Sequence, residues 1–235
     1  MTTTPKAYCL LSGGLDSTTA LARAISQYGA SSCAAVSIDY GQRHLVELRA
    51  ASVIAEAYGV SHTLLRMEVP RTMLTDPSIP VPDISYAEIQ GVSPTFVPFR
   101  NGLMLSTIAS HIAGIHLDPT REGTPDHGRD AIIYWGAHAE DAAGWAYPDC
   151  TPEFIGAMAC AIYIGSYHKI RVVAPFASMM KHEIVSEGIR LGVDYRQTWS
   201  CYRGGTIHCG VCATCRARKD AFTESGESDP TLYAG

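Results

Sequence analysis

The stretch Ser12-Gly13-Gly14-Leu15-Asp16-Ser17 lies between an apolar run, Tyr8 to Leu11, and a helix-like segment, Thr18 to Ile25. It therefore reads as a strand-to-helix turn that forms an anion cradle. Two adjacent glycines allow backbone conformations that gather N–H groups on one concave face, with no Cβ in the way of a phosphate. The following helix adds its free N-terminal N–H groups and the positive end of its dipole. Ser12, Ser17, Thr18 and Thr19 place hydroxyls around the same point. Asp16 suits an anion site only when a divalent cation lies between its carboxylate and the phosphates, so a nucleotide is expected here together with magnesium. A Walker A loop is excluded because the chain contains no Gly-Lys pair, and a dinucleotide fingerprint is excluded because the three spaced glycines are missing.

Strand-like runs at Ala7–Leu11, Cys33–Asp39, His62–Met67, Ala131–Gly136 and Ile170–Ala174 are separated by helix-like segments. Such alternation predicts an α/β fold with a doubly wound, mostly parallel sheet and helices on both faces. Ligands of such sheets bind outside the carboxyl ends of the strands. The first loop lies there, and so does Asp39-Tyr40-Gly41-Gln42. Two stretches interrupt the pattern, Val69 to Phe99, rich in proline, and His116 to Asp130; loops of that length are usually functional covers or insertions. The expected division is an α/β domain over residues 1–195 and a small C-terminal segment over 196–235.

The 235 residues suffice for one such domain with an appendage. With 46% hydrophobic and 17% charged residues the composition is that of an ordinary globule. No apolar run approaches the roughly 20 residues of a membrane span and no basic-then-apolar leader opens the chain, so a cytoplasmic location without membrane association is expected. A formal net charge of −5 disfavours a broad phosphate-tracking surface, so small-molecule substrates are expected rather than nucleic acid. Homodimerisation is left open.

Near the C-terminus Cys209, Cys212 and Cys215 form a CxxCxxC run, and Cys201 eight positions upstream completes a set of four. Four thiolates at this spacing suit a closed, tetrahedral structural zinc site. An iron–sulfur cluster also uses four cysteines at short spacing, and disulfides are the third reading. His208 flanks the cluster but is surplus as a ligand. Cys9 and Cys33 fall in strands and read as buried apolar residues, not nucleophiles.

Further polar clusters lie between the two ends. Arg100 and Asn101 precede a helix expected over Gly102 to Ile115; Asn101 can serve as its cap, whereas the charge of Arg100 opposes the dipole unless it binds an anion. Trp135-Gly136-Ala137-His138 closes the fourth strand, followed by Glu140, Asp141, Tyr147, Asp149 and Cys150. A strand end rich in carboxylates and aromatics can take a flat polar heterocycle or magnesium, although Glu140 also reads as part of a solvated acidic loop. Lys181 and His182 begin a helix, where a lysine can hold phosphate or simply face solvent.

The loop resembles the Ser-Gly-Gly-x-Asp-Ser loop of the ATP-pyrophosphatase (PP-loop) superfamily, whose members cleave ATP to AMP and pyrophosphate. The segments Asp39-Tyr40-Gly41-Gln42-Arg43-His44, Val97-Pro98-Phe99-Arg100-Asn101, Tyr147-Pro148-Asp149-Cys150, Ser200-Cys201-Tyr202 with the CxxCxxC run, and Asp229-Pro230-Thr231 follow in the order seen in the QueC family of 7-cyano-7-deazaguanine synthases. The chain departs from that pattern at Ala146, where glycine is usual, at Thr151, where arginine is frequent, and in the length of 116–130. The resemblance implies an ATP-dependent ligase acting on 7-carboxy-7-deazaguanine. ATP adenylates the carboxylate, ammonia gives the amide, and a second ATP activates the amide so that AMP departs and a nitrile remains. It implies nucleotide contacts from Leu11, Ser12, Gly13, Gly14, Leu15, Asp16, Ser17, Thr18, Thr19, Ala20 and Leu21, with Asp39 and Gln42. It further implies a catalytic set of Asp16, Ser17, Arg100 and Lys181, substrate contacts from Arg100, Asn101, Asp141, Tyr147 and Asp149, and zinc on Cys201, Cys209, Cys212 and Cys215. The alternatives are another ATP pyrophosphatase with a different acceptor, either a tRNA-modifying enzyme or an amide-forming ligase, a diverged paralogue of the deazaguanine pathway, or a zinc-knuckle nucleic-acid module without enzymatic activity.

Overall fold

The computed structural model describes residues 4–42, 45–74, 92, 96–121, 127–143 and 147–234. Arg43 and His44, most of the proline-rich stretch, residues 122–126 of the second long loop, and Ala146 lie outside the described residues. Five strands, β1 (Ala7–Leu10), β2 (Cys33–Asp39), β3 (Ser61–Arg66), β4 (Ala131–Tyr134) and β5 (Ile170–Val173), form one parallel sheet in the order β3-β2-β1-β4-β5. Each falls within a residue or two of its expected position. The main helices are α1 (Leu15–Tyr28), α2 (Val46–Ala57), α3 (Arg100–His116), α5 (Pro152–Gly165), α6 (Lys181–Arg190) and α7 (Ala213–Ser225), with a single turn α4 (Ala139–Ala142).

The period of two along the strands sorts side chains into two cores. Tyr8, Leu10, Val36, Ile133 and Ile170 pack with Leu105, Ile108 and Ile112 of α3 on one face. Ala7, Cys9, Cys33 and Ala35 pack with Leu21 and Ala24 of α1 and with Ala51 and Ile54 of α2 on the other. Cys9 and Cys33 are therefore apolar core residues, and burial holds both thiols above their usual pKa. A third core joins α1, α6 and α7 through Leu15, Ile184, Tyr195 and Phe222, so the C-terminal helix shares its interior with the main domain.

The strand order reverses between β1 and β4, which makes their carboxyl ends the crevice where ligands of open α/β sheets bind. Two glycines bring the walls together there. Gly13, at φ +82°, packs so closely that a Cβ would lie 2.4 Å from the Glu47 carbonyl oxygen. At Gly136 a Cβ would lie 2.9 Å from the Asp16 carbonyl carbon and 3.0 Å from the Ser17 nitrogen, so no other residue allows β4 to reach the loop.

Candidate active site

The turn after β1 is held from within. The hydroxyls of Ser12 and Ser17 are 3.0 Å apart, Ser17 Oγ also accepts from the Ser12 N–H, and Thr18 Oγ1 donates to the Gly14 carbonyl at 2.7 Å. From outside, the Trp199 N–H donates to the Gly13 carbonyl at 2.8 Å. Gly14 is the N-cap of α1 and no side chain caps that helix, so its first-turn N–H groups are left for a ligand beside the loop.

Asp16 stands in that first turn. Its Oδ2 is 3.2 Å from Lys181 Nζ and 3.8 Å from His138 Nε2, while its buried Oδ1 has no hydrogen-bond partner. Burial alone would raise its pKa, but the Lys181 ammonium and His138 outweigh burial and hold the carboxyl below the usual carboxylate range. Lys181 is likewise kept charged against burial by Asp16 and Asp141. Its Nζ is 3.2 Å from His138 Nε2, which lies 3.4 Å from Asp141 Oδ2. An ionised, buried carboxylate with one oxygen unpartnered fits a divalent cation carried by a nucleotide, because an orphaned acceptor is costly unless a ligand completes it. Lys181 opens α6 because the Glu140 carboxylate accepts its backbone N–H at 2.5 Å and Glu183 caps the preceding Met180 N–H. Glu140 is thus a helix cap, not part of a solvated acidic loop.

Arg100 forms the opposite chemical element of the site. The cap of α3 is Phe99, in a left-handed conformation (φ 53°) with its ring folded over Gly102, and not Asn101 as its residue type suggested. Asn101 is in the first turn, and the side-chain oxygen that satisfies its N–H, at 3.0 Å, is Asp149 Oδ2 from a distant segment. Asn101 Nδ2 also bonds the Asp149 carbonyl and Cys150 Sγ. Burial disfavours the Arg100 charge, yet the guanidinium, faced by Tyr40, Tyr202, Cys150 and the Asp149 carboxylate, stays ionised. Burial keeps Cys150 protonated.

These groups line one cavity of about 860 Å³ that runs from the loop to the C-terminal segment, within the size range of small-molecule sites. It brings together Leu11, Ser12, Gly14, Leu15, Asp16, Ser17, Gln42, Arg100, Asn101, Asp141, Lys181 and Cys201. Thr18, Thr19, Ala20 and Leu21 are buried away from it, Thr19 bonding Tyr195. Asp39 accepts from the Gly41 N–H in its own turn. Tyr147 and Asp149 are buried behind Asn101. Sequence reasoning gave no role to Glu47, His138, Gly136 or Trp199. The only local signal was a carboxylate in the turn after Gln42 and a histidine at a strand end.

The four cysteine sulfurs lie within 4.8 Å of one another, and Cys209 Sγ to Cys215 Sγ is 3.9 Å. Ligands about 2.3 Å from a tetrahedral zinc are separated by about 3.8 Å, so the thiol set fits zinc or a metal of similar bond length. The Cys209 N–H points at Cys201 Sγ and the Cys212 N–H at Cys209 Sγ, each at 3.4 Å, and Gly210 supplies the positive φ of the knuckle. Hydrogen bonds from Cys201, Cys215 and Thr214 draw Cys212 toward its thiolate. His208 stays out of the cluster. Burial and Arg218 lower its pKa to about 4, so it is neutral, stacks on Trp199 and accepts the Ser200 N–H at 3.0 Å. Among the described residues no helix is long and apolar enough to cross a membrane.

The model of the family described as "Queuosine biosynthesis protein QueC" matches residues 6–226. Among curated proteins, a 7-cyano-7-deazaguanine synthase of Cellvibrio japonicus is 39% identical over 97% of this chain and 98% of its own length. That of Thermoplasma acidophilum is 39% identical over 97% and 92%, and that of Chromohalobacter salexigens 35% identical over 99% and 87%. Relatives from two different organisms at equal identity, a family match covering almost the whole sequence, and a phosphate loop that shares one cavity with Cys201 of the cysteine cluster lead to the same conclusion: the chain belongs to the QueC family.

Proposed function

We propose that this protein converts 7-carboxy-7-deazaguanine and ammonia to 7-cyano-7-deazaguanine, cleaving one ATP to AMP and pyrophosphate in each of two halves. The observation that carries this reading is the Asp16 carboxylate, ionised, with Oδ2 facing Lys181 and His138 and buried Oδ1 without a partner at the start of α1, in the same cavity as the Arg100 guanidinium. The loop N–H groups and Lys181 receive the phosphates, whose charge shifts toward pyrophosphate as the α-phosphate is attacked. Magnesium would be held by Asp16 and would supply charge neutralisation on those oxygens.

Arg100 binds the substrate carboxylate, with Asn101 and Asp141 on the same wall. Asp149 and Tyr147 act one layer behind, fixing Asn101 and the start of α3. The four cysteines hold zinc in a closed site that gives the C-terminal segment its shape and, through Cys201 and Trp199, backs the cavity. Residues 1–195 carry the ATP chemistry and 196–235 complete its wall. The unpaired, metal-ready thiols accord with a cytoplasmic protein, and a cavity of small-molecule size in an acidic chain accords with free small-molecule substrates. The test is mass spectrometry of 7-carboxy-7-deazaguanine incubated with protein, ATP, magnesium and ammonium. Nitrile formation with AMP release is expected, and no AMP or no product above an enzyme-free control overturns the reading.

A further inference from the structure

Both halves of this reaction must dispose of protons from nitrogen. Ammonia attacks as the neutral base but is present near neutral pH as ammonium. In the first half ammonium loses a proton, the nitrogen lone pair forms the C–N bond at the acyl carbon, the C–O bond to AMP breaks with its electrons on AMP, and one more proton leaves nitrogen. In the second half the amide oxygen bonds the α-phosphate as pyrophosphate leaves. The C–O bond to AMP then breaks, and both remaining N–H protons depart as the nitrile forms.

Most cavity groups cannot serve as the acceptor. Lys181 and Arg100 remain cations, while burial keeps Cys150 and Tyr40 protonated. Asp16 is a weakened base, and Asp141 faces the His138 that already contacts Lys181. Glu47 differs from all of these. It lines the cavity from the first turn of α2, and its backbone is pressed against Gly13 of the phosphate loop. Its side chain is flanked by Arg100 of α3, by Tyr40 beyond β2 and by Gln42, whose Oε1 accepts the Tyr40 N–H and whose NH₂ donates to the Ile38 carbonyl at 3.4 Å as well as to Glu47.

We infer that Glu47 is the catalytic base that takes protons from the reacting nitrogen in both halves, an assignment that rests on the proposed function. A substrate carboxylate on Arg100 brings the reacting carbon beside Glu47. Half-buried in the cavity wall among Arg100, Tyr40 and Gln42, Glu47 is desolvated enough that its pKa rises to about 7 despite Arg100 and the Gln42 hydrogen bond, which matches a group that must accept and pass on protons at neutral pH. A carboxylate there merely to favour the helix dipole would be held below its usual value, not above it.

The experiment compares two nucleophiles on the acyl adenylate in Glu47→Gln and Glu47→Asp. Hydroxylamine is neutral near pH 7 and needs no deprotonation before attack, whereas ammonium does. In Glu47→Gln the ratio of amide to hydroxamate should fall about 100-fold, as should nitrile formation from the synthetic amide, with partial recovery in Glu47→Asp. An unchanged ratio with unchanged nitrile formation overturns the inference. So does an equal fall in amide, hydroxamate and ATP–pyrophosphate exchange, which would make Glu47 a binding or folding residue. Failure of the unsubstituted protein to form nitrile from acid or amide would instead overturn the proposed function.

Discussion

The phosphate loop and the cysteine cluster come from opposite ends of the chain and meet through Trp199, yet they dispose of their polar atoms in opposite ways. In the loop, Asp16 Oδ1 is buried without a partner beside the first turn of α1. Around the cluster the buried charges are consumed, although the Thr231 hydroxyl is buried without a partner. Arg218, fully buried, gives its N–H groups to Thr198, Ser200, the Tyr195 carbonyl and Asp229, and Asp229 in turn accepts from Tyr233 at 2.5 Å. A buried polar group without a partner costs roughly 1–3 kcal/mol, so it persists where a ligand completes it. The comparison separates a region built to receive from a region built to hold, and it can be broken from either side.

The largest effect is expected on the holding side. Chelation of the metal, or Cys212→Ser, should destabilise the protein by about 4 kcal/mol or more, because loss of a structural metal belongs to the most damaging class of change. ATP cleavage should fall with it, since the Trp199 N–H supports Gly13 and Cys201 is part of the cavity wall. Thermal unfolding with and without chelator, alongside elemental analysis, measures this. Stoichiometric iron, or an unfolding midpoint that ignores the chelator, would remove the distinction between the two regions.

On the receiving side Asp16→Asn should lower AMP release by on the order of 10²–10³-fold, or about 3–4 kcal/mol of transition-state stabilisation. Stability should change less than on loss of the metal, because Oδ1 is unused in the unliganded fold and Asp141 remains to compensate the Lys181 ammonium when the Oδ2 charge is lost. Parent-level AMP and pyrophosphate release would mean that the loop is not where the phosphates bind. A collapse in stability equal to that of Cys212→Ser would mean that Asp16 holds rather than receives.

The same contrast accounts for what could be read from the sequence. Strands with a period of two, the Gly13-Gly14 turn and the four cysteines are local patterns, in which a few adjacent residues determine the geometry, and all were legible. The Asn101 cap was misplaced because the oxygen that satisfies it belongs to Asp149, 48 residues away. Gly136 is required by the approach of β4 to Asp16, and Glu47 matters because β2 and α3 bring Gln42 and Arg100 to it. These are products of packing order in the sheet, which no window of sequence contains. Residues such as Leu21 lie in the nucleotide motif by position but face the core by helical period.

Asp149 gives the smallest expected effect and the finest discrimination. A residue that read the substrate directly would lose substrate use on Asp149→Asn with stability intact, because the amide presents a donor where the heterocycle needs an acceptor. A cap behaves otherwise. Asparagine still offers an oxygen to the Asn101 N–H, so Asp149→Asn should change both stability and the substrate KM only slightly, whereas Asp149→Ala should cost about 1–2 kcal/mol and raise the substrate KM by letting Arg100 and Asn101 shift. ATP–pyrophosphate exchange and thermal unfolding on the two variants decide between these roles. A large, selective loss in Asp149→Asn would move Asp149 from the supporting layer into the cavity and make the substrate wall, like the loop, a region that receives.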